Sequence, residues 1–140
     1  SSEPVHSVAM LGEAAWRQRI RDALVQGRVH LVNYPLVNAR RELVHLECPL
    51  RLQLEENGDF EPAARWLPLA MRSRLTVDID ERALALALAE SAADGQPRCV
   101  NLSPASLADS GFASRLRALL WDSPRVARLI WLEVAESAAD

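Results

Sequence analysis

Three oxygen-bearing side chains stand inside apolar, strand-like runs of the sequence. Glu47 lies in LVHLEC, Asn101 in RCVNL and Glu133 in LIWLEV. A carboxylate in a buried strand is costly unless it is paired, protonated or bound to a cation. Two carboxylates and an amide oxygen that meet at one end of a parallel sheet suit a hard divalent cation, Mg²⁺ or Mn²⁺. The alternative is three isolated polar residues, each satisfied by a backbone group or an arginine.

Arg51 is a candidate phosphate ligand beside this site. It follows Glu47 by four residues on what the pattern predicts to be one extended segment, so the two side chains are expected to share a face. An arginine next to a metal site suits a phosphate group because its planar guanidinium offers parallel donors to two oxygens. The alternative is an arginine that lies at the surface or in an ion pair.

The remaining reactive residue types do not form a motif of known chemistry. His6, His30 and His45 lack the spacing of metal ligands, and a core or surface role is expected for each. Cys48 and Cys99 lie in apolar runs without a CxxC motif, so the sequence predicts neither a zinc site nor a disulfide. Buried thiols indicate a reducing compartment, and we expect the chain in the cytoplasm. No GxSxG, GxGxxG or Walker-type loop is present.

Helices and apolar strands alternate along the chain in the order α, β, β, α, α, β, α, β. This alternation is typical of an α/β protein in which helices cover a parallel sheet. The segment 80–93 is ambiguous, because its leucines alternate with alanines, but its helix-forming composition favours a helix. The patterns predict helices at 10–26, 62–71, 80–93 and 112–120 and strands at 29–34, 43–54, 98–102 and 129–134.

The composition is that of a single soluble domain. Of the 140 residues, 49% are hydrophobic and 25% are charged, and the formal net charge is -3. This balance gives no electrostatic reason to expect binding to nucleic acid or to an anionic membrane surface. No apolar run approaches the roughly 20 residues that cross a bilayer, so direct membrane contact is not expected.

Five segments, in chain order, together resemble the N-terminal half of an EAL domain, the bacterial module that binds or hydrolyses cyclic di-GMP. VHLVNYPLV is similar to the family's first strand with its Gln-Pro-Ile/Val motif, and HLECPLRLQ to the Glu-Ala-Leu-Leu-Arg signature. NGDFEPAARWLPLA resembles the Phe-Ile-Pro-x-Ala segment, CVNLSPASL the Val-Asn-Leu-Ser strand and LIWLEVAES the Leu-Glu-Ile-Thr-Glu-Ser strand. The resemblance predicts a linker or the end of a preceding element at 1–13 and half of an EAL domain at 14–140.

The resemblance implies a fold and a set of site residues. The fold is α/β, the N-terminal half of a TIM-like (β/α) barrel of the EAL type, truncated after about four strands. Glu47, Asn101 and Glu133 fall on the family's ligands for Mg²⁺ or Mn²⁺. Arg51 falls on the arginine that contacts a phosphate of cyclic di-GMP. The ligand-binding set also includes Tyr34 and Pro35, at the position of the Gln-Pro motif.

Several departures from the family pattern indicate a degenerate site. Cys48-Pro49 replaces Ala-Leu of the signature, Tyr34 stands in place of the Gln, and Met71 stands where the family usually has Glu. The family's paired aspartates, its catalytic lysine and its later carboxylate would all fall after Asp140. The segments HLVNYPL and HLECPLRL are particularly similar to those of LapD-like receptors, in which the EAL domain is the cytoplasmic part of a membrane-anchored protein. The resemblance therefore implies an ancestral site for Mg²⁺ or Mn²⁺ and leaves open whether this chain has kept or lost the metal.

The leading hypothesis is a degenerate EAL domain that acts as a cyclic di-GMP receptor and not as an efficient hydrolase, with enzyme activity not expected from this chain as given. The first alternative is an active phosphodiesterase that produces linear pGpG with Mg²⁺ or Mn²⁺. The second is a protein-interaction or dimerisation module without nucleotide binding, in which a second copy completes the open half-barrel as a homodimer. For the 140-residue chain alone, we expect weak or absent nucleotide binding.

Overall fold

The computed structural model describes residues 12–134, whose helices and strands follow the alternation of apolar segments along the chain. Residues 1–11 and 135–140 lie outside the described part, so most of the predicted linker at 1–13 does too, whereas Glu13 already begins a helix. The elements in chain order are α1 (Glu13–Val25), β1 (Val29–Leu31), β2 (Tyr34–Val37), β3 (Leu43–Glu47), β4 (Leu50–Gln53), β5 (Phe60–Glu61), α2 (Ala63–Arg72), α3 (Thr76–Asp94), β6 (Arg98–Leu102), α4 (Pro104–Ala108), α5 (Ser110–Asp122), α6 (Pro124–Ala127) and β7 (Ile130–Val134).

The strands form a four-stranded sheet in the order β2-β3-β6-β7 and a small antiparallel sheet in the order β1-β4-β5. In the larger sheet, β3, β6 and β7 are parallel neighbours, which confirms the predicted α/β class. The expectation of a wholly parallel sheet is wrong for β2, which runs antiparallel to β3. A parallel core with one antiparallel strand at its edge is a common arrangement in mixed sheets.

The two predicted strands at 29–34 and 43–54 are each divided between the two sheets. Val32 N–H donates to the carbonyl of Pro49 at 3.0 Å, at the point where both segments leave one sheet for the other. Because Pro49 has no N–H, it cannot continue a ladder, and the chain changes direction there. Pro35, expected to interrupt the first strand, instead lies within β2, where an edge position tolerates it.

The helix predicted for the ambiguous alanine- and leucine-rich segment is confirmed as α3. Its buried residues include Ala83, Leu84, Ala87 and Leu88, a spacing of three and four that gives one face of a helix. The helix ends at Gly95, whose φ of 72° is the left-handed conformation that glycine adopts without a Cβ penalty.

One apolar core joins the helices to both sheets. The largest side chains that are fully buried in it come from α1, β4, α2, β6 and α5: Ile20, Leu52, Trp66, Val100, Leu102 and Phe112. Burying side chains of this size is worth about 1.5–3 kcal/mol each before the entropic cost of ordering them. Within residues 12–134, none of the helices is both long enough and apolar enough to cross a bilayer.

A buried arginine fixes the start of β6 against the end of α3. Arg98 is 4% exposed and donates to both carboxylate oxygens of Asp94, at 2.8 and 2.7 Å. It also donates to Asn33 Oδ1 at 3.0 Å and to Ser91 Oγ at 3.2 Å. The hydrogen bonds from Arg98 to the carboxylate, together with one from the backbone N–H of Gln96, lower the pKa of Asp94 to about 2. The network positions the strand that carries Asn101.

Candidate functional site

The candidate site lies on the face of the larger sheet that points away from the core. On β6, Val100 and Leu102 belong to the core cluster, so Cys99 and Asn101 point to the opposite face. Strand register then places their neighbours on that same face. Across β2, β3, β6 and β7, the row Tyr34–Glu47–Cys99–Trp131 is in register, and Asn101 is paired with Glu133.

Three residues with different donor atoms meet in the centre of this face. The Nε2 of His45 lies 2.8 Å from Oε1 of Glu47. One donor atom from each of His45, Glu47 and Cys99 lies within 4.8 Å of the others. The His45 side chain is 8% exposed and that of Glu47 33% exposed, and the imidazole packs against Trp131 with ring centroids 4.9 Å apart. We name His45, Glu47 and Cys99 the central cluster.

The thiol of Cys99 links the central cluster to the next strand. Its Sγ donates to Oε2 of Glu133 at 3.7 Å, and Asn101 is the register partner of the same glutamate. Burial, together with the carboxylates of Glu47 and Glu133, raises the pKa of Cys99 to about 12. The sulfur is therefore a protonated, neutral group that lies between two carboxylates.

Tyr34 connects the two halves of the predicted ligand set. It is the register partner of Glu47, with Pro35 beside it opposite Leu46. Its hydroxyl accepts a hydrogen bond from Nη2 of Arg51 at 3.5 Å. The expectation that Glu47 and Arg51 share a face of one strand is wrong, because Arg51 lies on β4 in the small sheet. Glu47 and Arg51 are connected through Tyr34, which pairs with Glu47 and accepts the hydrogen bond from Arg51, and not through a common strand.

The three predicted oxygen ligands are less buried than their apolar flanks suggest. Asn101 and Glu133 are exposed, and Glu47 is of intermediate exposure. The expectation of fully buried carboxylates is wrong because these side chains lie on the face of the sheet that points away from the core. For Glu133 there is a second reason: within the described residues, β7 pairs with β6 alone and forms an edge of the sheet. Trp131 and Leu132 on this strand are 48% and 39% exposed. An apolar sequence indicates burial only when both faces and both edges of a strand are covered.

The donor set fits Mg²⁺ or Mn²⁺ only in part. Glu47, Asn101 and Glu133 supply oxygens from three neighbouring strands, as these hard cations require. However, Oε1 of Glu47 is engaged by His45, and the sulfur of Cys99, a poor ligand for a hard cation, lies 3.7 Å from Oε2 of Glu133.

The sequence analysis missed His45 and Cys99 as members of the site. The absence of a CxxC motif and of histidine ligand spacing argued against a zinc site, yet the parallel register of β3 and β6 brings an imidazole, a carboxylate and a thiol together. One local signal was present: His45 and Glu47 are two residues apart on a strand and therefore share a face. The prediction that both cysteines are buried is confirmed.

The cavity at the ends of β3 and β6 is too small to enclose a dinucleotide. A cavity of about 140 Å³ opens at the ends of β3 and β6, beside Pro49, Trp66, Asp80 and Asn101. Pockets for small molecules usually measure several hundred Å³. A ligand the size of a cyclic dinucleotide would therefore lie across the open face of the sheet.

Comparison with known proteins identifies the family of the chain. The family model for the EAL domain matches residues 17–140. None of the curated proteins matches the chain. Among solved structures, the Xanthomonas citri FimX EAL domain in complex with c-diGMP superposes with a TM-score of 0.75 at 25% identity, covering 89% of this chain and 50% of that one.

Two further structures have the same fold. The structure described as PaMucR phosphodiesterase, c-di-GMP complex, gives a TM-score of 0.73 at 26% identity, covering 89% of this chain and 53% of that chain. The apo structure of Vibrio cholerae LapD (S helix-GGDEF-EAL) gives a TM-score of 0.80 at 16% identity, covering 89% of this chain and 31% of that chain. The chain thus spans about half the length of the FimX and PaMucR structures and about a third of the LapD structure. By its family match and its fold, the chain belongs to the EAL domain family.

Proposed function

We propose that residues 14–140 form the N-terminal half of a cytoplasmic EAL domain that binds cyclic di-GMP as a receptor and does not hydrolyse it efficiently. The observation that carries the proposal is the sulfur of Cys99 between the carboxylates of Glu47 and Glu133. Hydrolysis by paired metal ions depends on ligands that hold both ions in a defined geometry. A thiol beside both glutamates works against that geometry, because hard cations prefer oxygen ligands.

The groups proposed to hold the nucleotide do not depend on a metal. Arg51 makes one side-chain hydrogen bond among residues 12–134, to the neutral hydroxyl of Tyr34, and forms no ion pair there. Its guanidinium is therefore available for a phosphate, which it suits geometrically. Tyr34 is 50% exposed, so its ring is accessible to a ligand on the open face of the sheet. FimX, whose structure contains c-di-GMP, is similar to this chain over the same segment.

The test is calorimetric titration of cyclic di-GMP into the longest natural form of the protein that contains this chain. We expect binding that Arg51→Ala weakens roughly 10- to 100-fold, because a hydrogen bond to a charged group contributes about 1.5–3 kcal/mol. Arg65→Ala is the matched control, since that side chain is 69% exposed and pairs with Glu61. Chromatography of the nucleotide with Mg²⁺ or Mn²⁺ should show intact cyclic di-GMP. Rapid formation of a linear dinucleotide would overturn the receptor proposal.

Specific observations favour two alternative functions. An active phosphodiesterase that produces linear pGpG is favoured by the register pairing of Asn101 with Glu133 beside the strand of Glu47, and by the likeness to PaMucR. A homodimerisation module is favoured by the exposed apolar edge strand β7, where Trp131 and Val134 are both 48% exposed. The dimerisation alternative requires no heat of nucleotide binding, no effect of Arg51→Ala and a dimer by sedimentation.

A further inference from the structure

The central cluster contains the three ligand types that zinc combines most often. His45 offers an imidazole nitrogen, Glu47 a carboxylate oxygen and Cys99 a thiol sulfur, all within 4.8 Å of one another. Four-coordinate Zn²⁺ takes ligands at about 2.0–2.3 Å, so its ligand atoms lie roughly 3–4 Å apart. Small movements of side chains that are already adjacent would close this distance. We propose that His45, Glu47 and Cys99 form a binding site for Zn²⁺.

The surroundings of His45 hold its imidazole beside the other two residues of the central cluster. The residue is 6% exposed, and its Nδ1 is a buried atom that has no hydrogen-bond partner among residues 12–134. Its other ring nitrogen contacts Glu47 at 2.8 Å. Because Nε2 faces Glu47, it is the nitrogen that would coordinate the ion, and Nδ1 would carry the proton of the neutral ring. The imidazole packs against Trp131, with ring centroids 4.9 Å apart.

The charges around the central cluster attract a cation. Within the described part of the chain, neither Glu47 nor Glu133 forms an ion pair with an arginine. When Zn²⁺ binds, the thiol of Cys99 transfers its proton to solvent and the thiolate coordinates the metal. The proton shared by His45 and Glu47 moves from Nε2 to Nδ1 of the imidazole, which frees Nε2 and the carboxylate as ligands. One thiolate and one carboxylate then balance the charge of the ion. Oε2 of Glu133, 3.7 Å from Sγ, or a water completes four ligands.

The donor set also selects among metals. Thiolate and imidazole ligands favour Zn²⁺ over Mg²⁺, which requires oxygen ligands in octahedral geometry. The proposal does not rest on nucleotide binding, and its test contains no nucleotide. A failure of the zinc proposal is therefore distinguishable from a failure of the receptor proposal.

The test is equilibrium dialysis of the 140-residue chain against Zn²⁺, with the bound metal measured by mass spectrometry. We expect one Zn²⁺ per chain, retained in a large excess of Mg²⁺. Cys99→Ser and His45→Gln should each weaken binding by on the order of 100-fold. Cys48→Ser is the matched control, because this second buried thiol contacts Asn33 and the carbonyl of Leu46 and belongs to the core cluster.

A spectroscopic measurement tests the ligands without any substitution. Co²⁺ bound to the unmodified chain should show a thiolate-to-metal charge-transfer band and the visible bands of a four-coordinate site. The proposal is overturned by a dialysed chain without zinc, by zinc that Mg²⁺ displaces, or by a cobalt spectrum without the thiolate band. Equal loss of metal in Cys48→Ser and Cys99→Ser would likewise overturn it, and circular dichroism of both variants verifies that they are folded.

Discussion

Asp80 on α3 holds the chain at the point where β6 ends, and its removal should destabilise the whole domain. The carboxylate is 8% exposed, and its Oδ2 accepts hydrogen bonds from Ser103 N at 2.7 Å and from Ser106 Oγ at 2.6 Å. Hydrogen bonds to a charged acceptor contribute about 1.5–3 kcal/mol each. Ser106 keeps a contact with Ser103 Oγ at 3.0 Å, so only the amide of Ser103 loses its partner completely. We therefore expect Asp80→Ala to cost about 3 kcal/mol.

The assay is urea denaturation followed by tryptophan fluorescence, with four tryptophans as reporters. Asp80→Asn keeps a carbonyl acceptor and should lose less, about 1 kcal/mol. Asp78→Ala is the control: this carboxylate lies exposed in the first turn of the same helix, where an acidic residue contributes about 0.3–1 kcal/mol through the helix dipole. If Asp80→Ala costs no more than Asp78→Ala, the buried hydrogen bonds do not anchor the end of β6, and the reasoning is wrong.

Three further predictions concern a helix end, an ion pair and the isolated chain. Gly95→Ala should lower the free energy of unfolding by about 1 kcal/mol, because φ is 72° there. Gly58→Ala is the control in the same urea assay and should cost less, because Gly58 has no positive φ and an added Cβ would meet only ordinary contacts. Arg98 lowers the pKa of Asp94 from 3.8 to about 2, so as the pH falls the carboxylate is protonated in the unfolded chain before it is protonated in the folded chain. The free energy of unfolding should therefore decline from about pH 4 through pH 2, and it should decline less steeply in Asp94→Asn. The 140-residue chain alone should give no micromolar binding of cyclic di-GMP by calorimetry.

The sequence predicts the local elements well because short-range rules determine them. The helix-forming composition of α3 outweighed the alternation of its leucines, and the helix predicted to end at residue 93 ends at Asp94, directly before Gly95. The signature segments identified the family because their order along the chain is specific even where each one is weak. The four predicted site residues Glu47, Arg51, Asn101 and Glu133 lie on strands, as expected.

The assignment of strands to sheets was less accessible, because it depends on pairing between distant segments. The segment LVHLECPLRL contains no local signal that Glu47 and Arg51 lie in different sheets. The division is visible only in the structure, where Val32 N–H donates to the carbonyl of Pro49 between them. The sequence also overestimates how deeply the side chains of β7 are buried, because an apolar strand at the edge of a sheet has the same composition as a central strand. The meeting of His45 with Cys99 required the parallel register of β3 and β6, which spans more than fifty residues of sequence.

Glu47 would be a ligand both in a site for Mg²⁺ or Mn²⁺ and in the proposed zinc site. Because one carboxylate cannot complete both sites, the zinc proposal is consistent with the proposal of a receptor that does not hydrolyse its ligand efficiently. A hard divalent cation would need this carboxylate together with further oxygens, whereas zinc would hold it together with His45 and Cys99. A carboxylate bound to zinc is not available to complete a magnesium site. Recognition of a phosphate by Arg51, supported by Tyr34, needs neither metal. A central cluster that takes zinc would thus suppress hydrolysis and leave the nucleotide-recognising groups unchanged, which is the combination of properties that a receptor requires.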